Sequence, residues 1–112
     1  MGGRFETYEL ALTMVRALRP VVARLRARDS DLTRQLVRAA SSVTNNLSEG
    51  AQRRGADRLH HYRVAAGSAA EVRSSLATAD AWGYLPSGAT GEVDALCDRV
   101  LAMLYRLLHP RR

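Results

Sequence analysis

Arg34, Arg38, Ser42, Asn45 and Glu49 recur at steps of three or four residues. Along one helical line they offer two guanidinium forks, a hydroxyl, an amide and a carboxylate. A guanidinium is planar and always charged, and it can grip a phosphate with two parallel hydrogen bonds. The line runs on into Arg53, Arg54 and Arg58. Arg34, Arg38, Arg53, Arg54 and Arg58 are therefore the expected nucleic-acid contacts, each acting on phosphate. Arg16, Arg24, Arg26 and Arg28 form a second candidate group. Asn45 and Glu49 also admit a structural reading, anchoring the loop that follows through backbone hydrogen bonds.

Ser68 and Glu71 follow a stretch of small residues that includes Gly67. A glycine inside a helix costs about 1 kcal/mol relative to alanine, and close approach of a neighbouring helix is the expected offset. Glu71 is expected to pair with an arginine across the fold. Together with Asn45, Glu49 and Ser68 it makes up the expected structural polar network. No second carboxylate or nucleophile stands at a useful spacing from Glu71, so acid–base chemistry has no second group to work with. His60 and His61 are adjacent, point about 100° apart on a helix, and cannot chelate one metal. Asp57-x-x-His60 supplies only a fragment of a di-metal bundle site, which needs paired Glu-x-x-His motifs and two further glutamates. Cys97 has no base signalled near it and reads as a small core residue. There is no glycine-rich phosphate loop, Walker lysine or Ser-His-Asp pattern. The expectation is a non-enzymatic protein with no metal and no cofactor.

The 112 residues include 17 arginines, no lysine and 11 acids, for a formal charge of +6. Residues 1–63 hold 12 of the arginines and 6 acids, whereas residues 64–112 hold 5 of each. Such one-sidedness points to a surface for nucleic acid or an acidic protein. The plainer alternative is a solvated face that aids solubility. The aromatics are Phe5, Tyr8, Tyr62, Trp82, Tyr84 and Tyr105, with Tyr8 and Tyr62 on apolar stripes. So few rings predict no base-stacking platform. Nucleic-acid binding should then be phosphate-directed, weakly sequence-specific and steeply salt-dependent.

Helical periodicity runs throughout, and no alternating strand pattern occurs. The first segment places Phe5, Tyr8, Leu12, Val15, Leu18, Val22 and Leu25 on one face, with Pro20 expected to kink it. Asp29-Ser30-Asp31 is a helix start, and Leu32, Leu36, Ala39, Val43 and Leu47 follow on one stripe. Gly50 is the expected C-cap, and 50–55 a short basic loop. A third stripe runs from Leu59 to Ala79, ending near Trp82-Gly83, and a fourth from Val93 to Leu108, stopped by Pro110. Four amphipathic helices on short loops predict an all-α, antiparallel up-down-up-down four-helix bundle forming a single domain over 1–112. The apolar faces of the first and fourth segments are wider than the roughly 100° stripe a bundle helix needs, so sister copies are expected to cover them. A protein partner docking a helix there is the rival reading.

The lone cysteine excludes a disulfide framework. No apolar run reaches the ~18 residues of a membrane span. Met1-Gly2-Gly3-Arg4-Phe5-Glu6 lacks a signal-peptide core, and Glu6 stands where a myristoylation motif has Ser or Thr. No membrane contact and a cytoplasmic location are expected.

The stretch Gln35 to Gly50, with Asn45-x-x-x-Glu49-Gly50, resembles a known signature, as does Tyr62 to Glu71, with Gly67-Ser68-x-x-Glu71, and Trp82-Gly83-Tyr84-Leu85 after it. Together they resemble the bacterial four-helix-bundle proteins encoded in intervening sequences of 23S ribosomal RNA genes. The accessory variability determinant of diversity-generating retroelements is in the same superfamily. The resemblance implies a barrel-like homopentamer and, for the retroelement relative, a basic surface that binds nucleic acid and a reverse transcriptase. It leaves open a role as accessory subunit to a reverse transcriptase or another nucleic-acid enzyme. Two positions depart from the pattern: His61, where members often carry an aromatic or apolar residue, and Ser48, where alanine is usual.

Overall fold

The structure is a computed structural model describing residues 3–110. Met1 and Gly2, part of the segment read for a leader, lie outside the described residues, as do Arg111 and Arg112. The helices are α1 (Arg4–Arg26), α2 (Ser30–Ala51), α3 (Gly55–Ala81) and α4 (Gly91–Leu108). Each packs against two others in a closed ring, α1 on α2 and α4, α3 on α2 and α4. With short loops this is the expected antiparallel four-helix bundle, a rod of 45 × 23 × 19 Å. No helix among the described residues is long and apolar enough to cross a membrane.

Local signals set two of the helix ends clearly. Asp29 caps α2, its carboxylate accepting from the Leu32 N–H at 2.9 Å, and the Thr33 hydroxyl donates back to the Asp29 carbonyl. That pair satisfies donors left free in the first turn. Pro20 does not break α1, which stays helical through it. The carbonyl deprived of its partner belongs to exposed Arg16, where water can reach it. At the far end of α3 the Tyr84 N–H reaches the Ala79 carbonyl and the Gly83 N–H the Asp80 carbonyl, with Gly83 at φ +75°. This is a Schellman stop, which needs a left-handed residue and finds glycine.

Two glycines behave opposite to expectation. Gly50 is not a C-cap: α2 continues to Ala51 and is capped by Gln52 in right-handed conformation. Gly50 is buried instead, and a Cβ there would lie 2.6 Å from Tyr62 Cε1 and 3.3 Å from His61 Cβ. Gly67 is exposed, and a Cβ there would meet nothing within 4 Å. The close approach of α2 and α3 thus occurs at Gly50. Sequence reasoning misplaced it because a glycine near a helix end looks like a stop, whereas burial is decided by the facing helix.

The core joins Met14, Leu18 and Leu25 of α1, Leu36 and Val43 of α2, Tyr62, Val72 and Leu76 of α3, and Val93, Val100 and Leu104 of α4. Small residues Ala39, Ala40, Ala65, Ala69 and Ala79 fill the rest, letting backbones come close. Cys97 belongs to this core, as expected. Its thiol donates to the Ala69 carbonyl at 3.2 Å, and burial pushes its pKa up to about 11. At neutral pH it is a thiol, not a nucleophile. The Tyr62 hydroxyl is buried with no partner within hydrogen-bond distance among the described residues, and burial pushes its pKa up against the opposing pull of nearby Arg58 and Arg4. Removing such a group leaves no donor unsatisfied. Tyr62→Phe should therefore be neutral or stabilise by up to about 1 kcal/mol in chemical denaturation. A loss of about 2 kcal/mol or more would mean that the hydroxyl has a native partner.

Candidate nucleic-acid interface

The α2–α3 seam carries a polar ladder beside the core. The Ser68 hydroxyl donates to Ser42 Oγ at 2.7 Å. Asn46 Nδ2 donates to the Ser42 carbonyl and Oγ, and Asn46 Oδ1 meets His61 Nδ1 at 2.9 Å. His61 Nε2 lies 4.0 Å from Asp57. Of the residues expected in a polar network, Ser68 joins this ladder and Asn45 does not. Asn45 is exposed, and Asn46 is the amide in the ladder. A helix turns about 100° per residue, so Asn46 falls beside the Val43–Leu47 stripe while Asn45 points away from it. The signal lay in the four-residue step from Ser42 to Asn46. Glu71 is also exposed, with no arginine paired to it among the described residues. The ion pair that does cross from α3 to α4 joins Arg73 and Asp98.

At the α2–α3 loop the arginines are engaged within the protein itself. Arg53 bridges Glu49 at 2.8 Å and Asp57 at 3.2 Å. Its hydrogen bond, and then its charge, hold the Glu49 carboxyl below the usual range, and the same pair raises the Arg53 guanidinium. Arg58 Nε donates to the Gly50 carbonyl at 3.0 Å, and its terminal nitrogen reaches the Ala51 carbonyl. These carbonyls end α2, whose last turn has no basic residue of its own. The Arg58 guanidinium thus caps the negative end of the α2 dipole. Arg54 is exposed, sits at the N-cap of α3 and has no ion pair among the described residues.

The opposite end of the bundle is different. Arg26, Arg34 and Arg38 line one shallow groove of about 650 Å³ with Ser30, Thr33 and Val37. Arg34 has exposed Asp31 beside it, a pair that solvent weakens, and Arg26 and Arg38 have no acid partner among the described residues. A second groove of about 300 Å³ continues along the α1–α2 seam, floored by Val15, Leu18 and Val22 and edged by Arg19. The five arginines singled out by sequence are consequently not one site. Helix α2 runs thirteen residues from Arg38 to Ala51 before the loop that carries Arg53, which is about 20 Å of rise. Arg34 and Arg38 join Arg26 of the second group at one end, whereas Arg53, Arg54 and Arg58 sit at the other.

The family model that describes the 23S rRNA-intervening sequence protein matches residues 4–106, nearly the whole bundle. The chain belongs to this family. No curated protein matches it. The family match spans all four helices, so it includes both arginine clusters and the Ser42–Asn46–His61–Ser68 ladder.

Two of the few aromatics meet at this end of the bundle, where α3 stops. Trp82 is 68% exposed and stacks on Tyr84, with ring centroids 6.2 Å apart and planes 16° from parallel. The Arg28 guanidinium lies over the Tyr84 ring at 5.3 Å. An exposed indole thus lies beside a second ring although aromatics are few. The Schellman turn at Gly83 folds its two flanking rings together, and Trp-Gly-Tyr at a helix end was the available signal.

Proposed function

We propose that the protein is a non-catalytic, homo-oligomeric accessory factor that binds nucleic acid through phosphate contacts. RNA is the class that the family's description favours. The observation that carries this reading is the Arg26–Arg34–Arg38 groove, lined by three arginines and the Ser30 hydroxyl with a single exposed carboxylate beside them. Phosphate recognition needs that donor set. Arg54 is a secondary contact at the other end.

Arg34→Ala/Arg38→Ala should weaken binding of any structured RNA about equally. It should also reduce the slope of log affinity against log salt by roughly two, one for each phosphate that loses its arginine. Gel shifts at several salt concentrations measure both. Binding that ignores salt, or no binding at low salt, would remove the proposal.

Assembly is supported by apolar surface that a single copy leaves open. Phe5 is 71% exposed with half-buried Tyr8 beside it, a strip of the α1–α2 seam next to Leu47 and Ala51, at the end of the bundle away from Arg26, Arg34 and Arg38. Sister copies would cover this strip while leaving the guanidiniums on the rim. Five copies is the number the family resemblance implies. Light scattering should then give about five times 12.3 kDa. A stable single copy in dilute buffer would end the assembly half of the reading.

A further inference from the structure

The Trp82 end of the bundle has features that phosphate binding does not use. Most of the Trp82 indole is open to water. The ring follows the last turn of α3, stacks on Tyr84, and Tyr84 is followed by buried Leu85. A flat ligand can stack on the open face of such a ring. The nearby charge is cationic: Arg28 lies on Tyr84, and Arg24 lines the adjoining groove with Pro86, Ser87 and Gly88. The nearby carboxylates are Asp80 on α3 and Glu92 in that groove. The Arg26–Arg34–Arg38 groove begins at the same α1–α2 connection.

From this geometry we infer that Trp82 is a stacking site for an unpaired nucleobase, with Arg24 and Arg28 positioned for the phosphates flanking it. A base in a duplex is stacked on both faces and unavailable, so the site selects single-stranded or loop nucleotides. This rests on the proposed nucleic-acid binding and adds a preference for strand form that phosphate contacts alone do not supply.

Trp82 is the only tryptophan, so its fluorescence reports on this site alone. Single-stranded oligouridylate should quench it on titration, while an RNA duplex of equal length should bind with little quenching. Trp82→Ala should weaken oligouridylate binding about tenfold and leave the duplex unchanged, the size expected for losing one stacked base. Trp82→Phe should recover part of the loss. Circular dichroism should show both variants folded, because Trp82 lies outside the core. Equal oligouridylate affinity for Trp82→Ala, or saturation without quenching, would overturn the inference while duplex binding keeps the parent proposal standing. It would also fall if Trp82→Ala reduced the assembled mass and left RNA affinity intact, which would make Trp82 a contact between copies. If neither RNA binds the parent protein, the phosphate proposal fails first and the stacking site with it.

Discussion

Gly50→Ala should lower the melting temperature by several degrees, up to about 8 °C, while Gly67→Ala should raise it by a few degrees. Both changes swap glycine for the best helix former, which alone favours the folded state by up to about 1 kcal/mol. The difference lies in what the new methyl meets. At Gly50 it would stand 2.6 Å from Tyr62 Cε1 and 2.9 Å from Cδ1. Tyr62 is 2% exposed and has nowhere to go. The seam must open or the ring must leave its rotamer, an overpacking cost of about 1–3 kcal/mol that exceeds the propensity gain. At Gly67 the methyl meets only solvent. Thermal unfolding followed by circular dichroism, at matched protein concentration because assembly shifts the midpoint, measures both. Equal stability of the Gly50 variant and the parent would show that α2 and α3 do not approach this closely.

Arg58→Ala should destabilise the fold by about 1–2 kcal/mol and leave RNA affinity of the folded protein unchanged. The guanidinium satisfies the Gly50 and Ala51 carbonyls at the end of α2. Losing charge-assisted bonds there costs more than losing a neutral pair, and the helix end also loses the cation that faces its dipole. Arg58→Lys should recover part of the stability, since an ammonium keeps the charge but cannot fork across two carbonyls. Denaturant unfolding together with RNA gel shifts separates the roles. A variant that is as stable as the parent but binds RNA more weakly would return Arg58 to the phosphate contacts expected from sequence alone.

The contrast between Arg58 and Arg38 shows where sequence reasoning stopped. Both are arginines at helical spacing on polar positions, and both read as free cations. Arg38 has no acid partner among the described residues, whereas Arg58 is used inside the fold, because the carbonyls it serves lie seven and eight residues away across a loop. Arg53 is held in the same way by Glu49 on one helix and Asp57 on the next. Spacing along one helix reveals which face a residue occupies, but not which group waits on the neighbour. The apolar faces of α1 and α4 are likewise partly used within one copy. Tyr8, Val15, Val22, Leu101, Met103, Leu107 and Leu108 are half-covered by the bundle itself, leaving Phe5 and Tyr105 as the large exposed rings there.

In α1 the buried stripe is Leu10, Met14, Leu18, Val21 and Leu25 rather than the face read from sequence. The four helices, the other apolar stripes, the Asp29 cap and the stop at Gly83 follow from short stretches of sequence. Each depends on a 3.6-residue period or on one terminal residue, and both are local. The placement of the close approach at Gly50, the choice of Asn46 over Asn45, and the gathering of Arg28, Tyr84 and Trp82 all join residues from different elements. Ser42 meets Ser68 from 26 positions away, and Arg28 meets Tyr84 from another connection entirely. Such meetings are fixed only when the helices settle against one another, so packing decided which polar groups are spent within the fold and which stay open to a ligand.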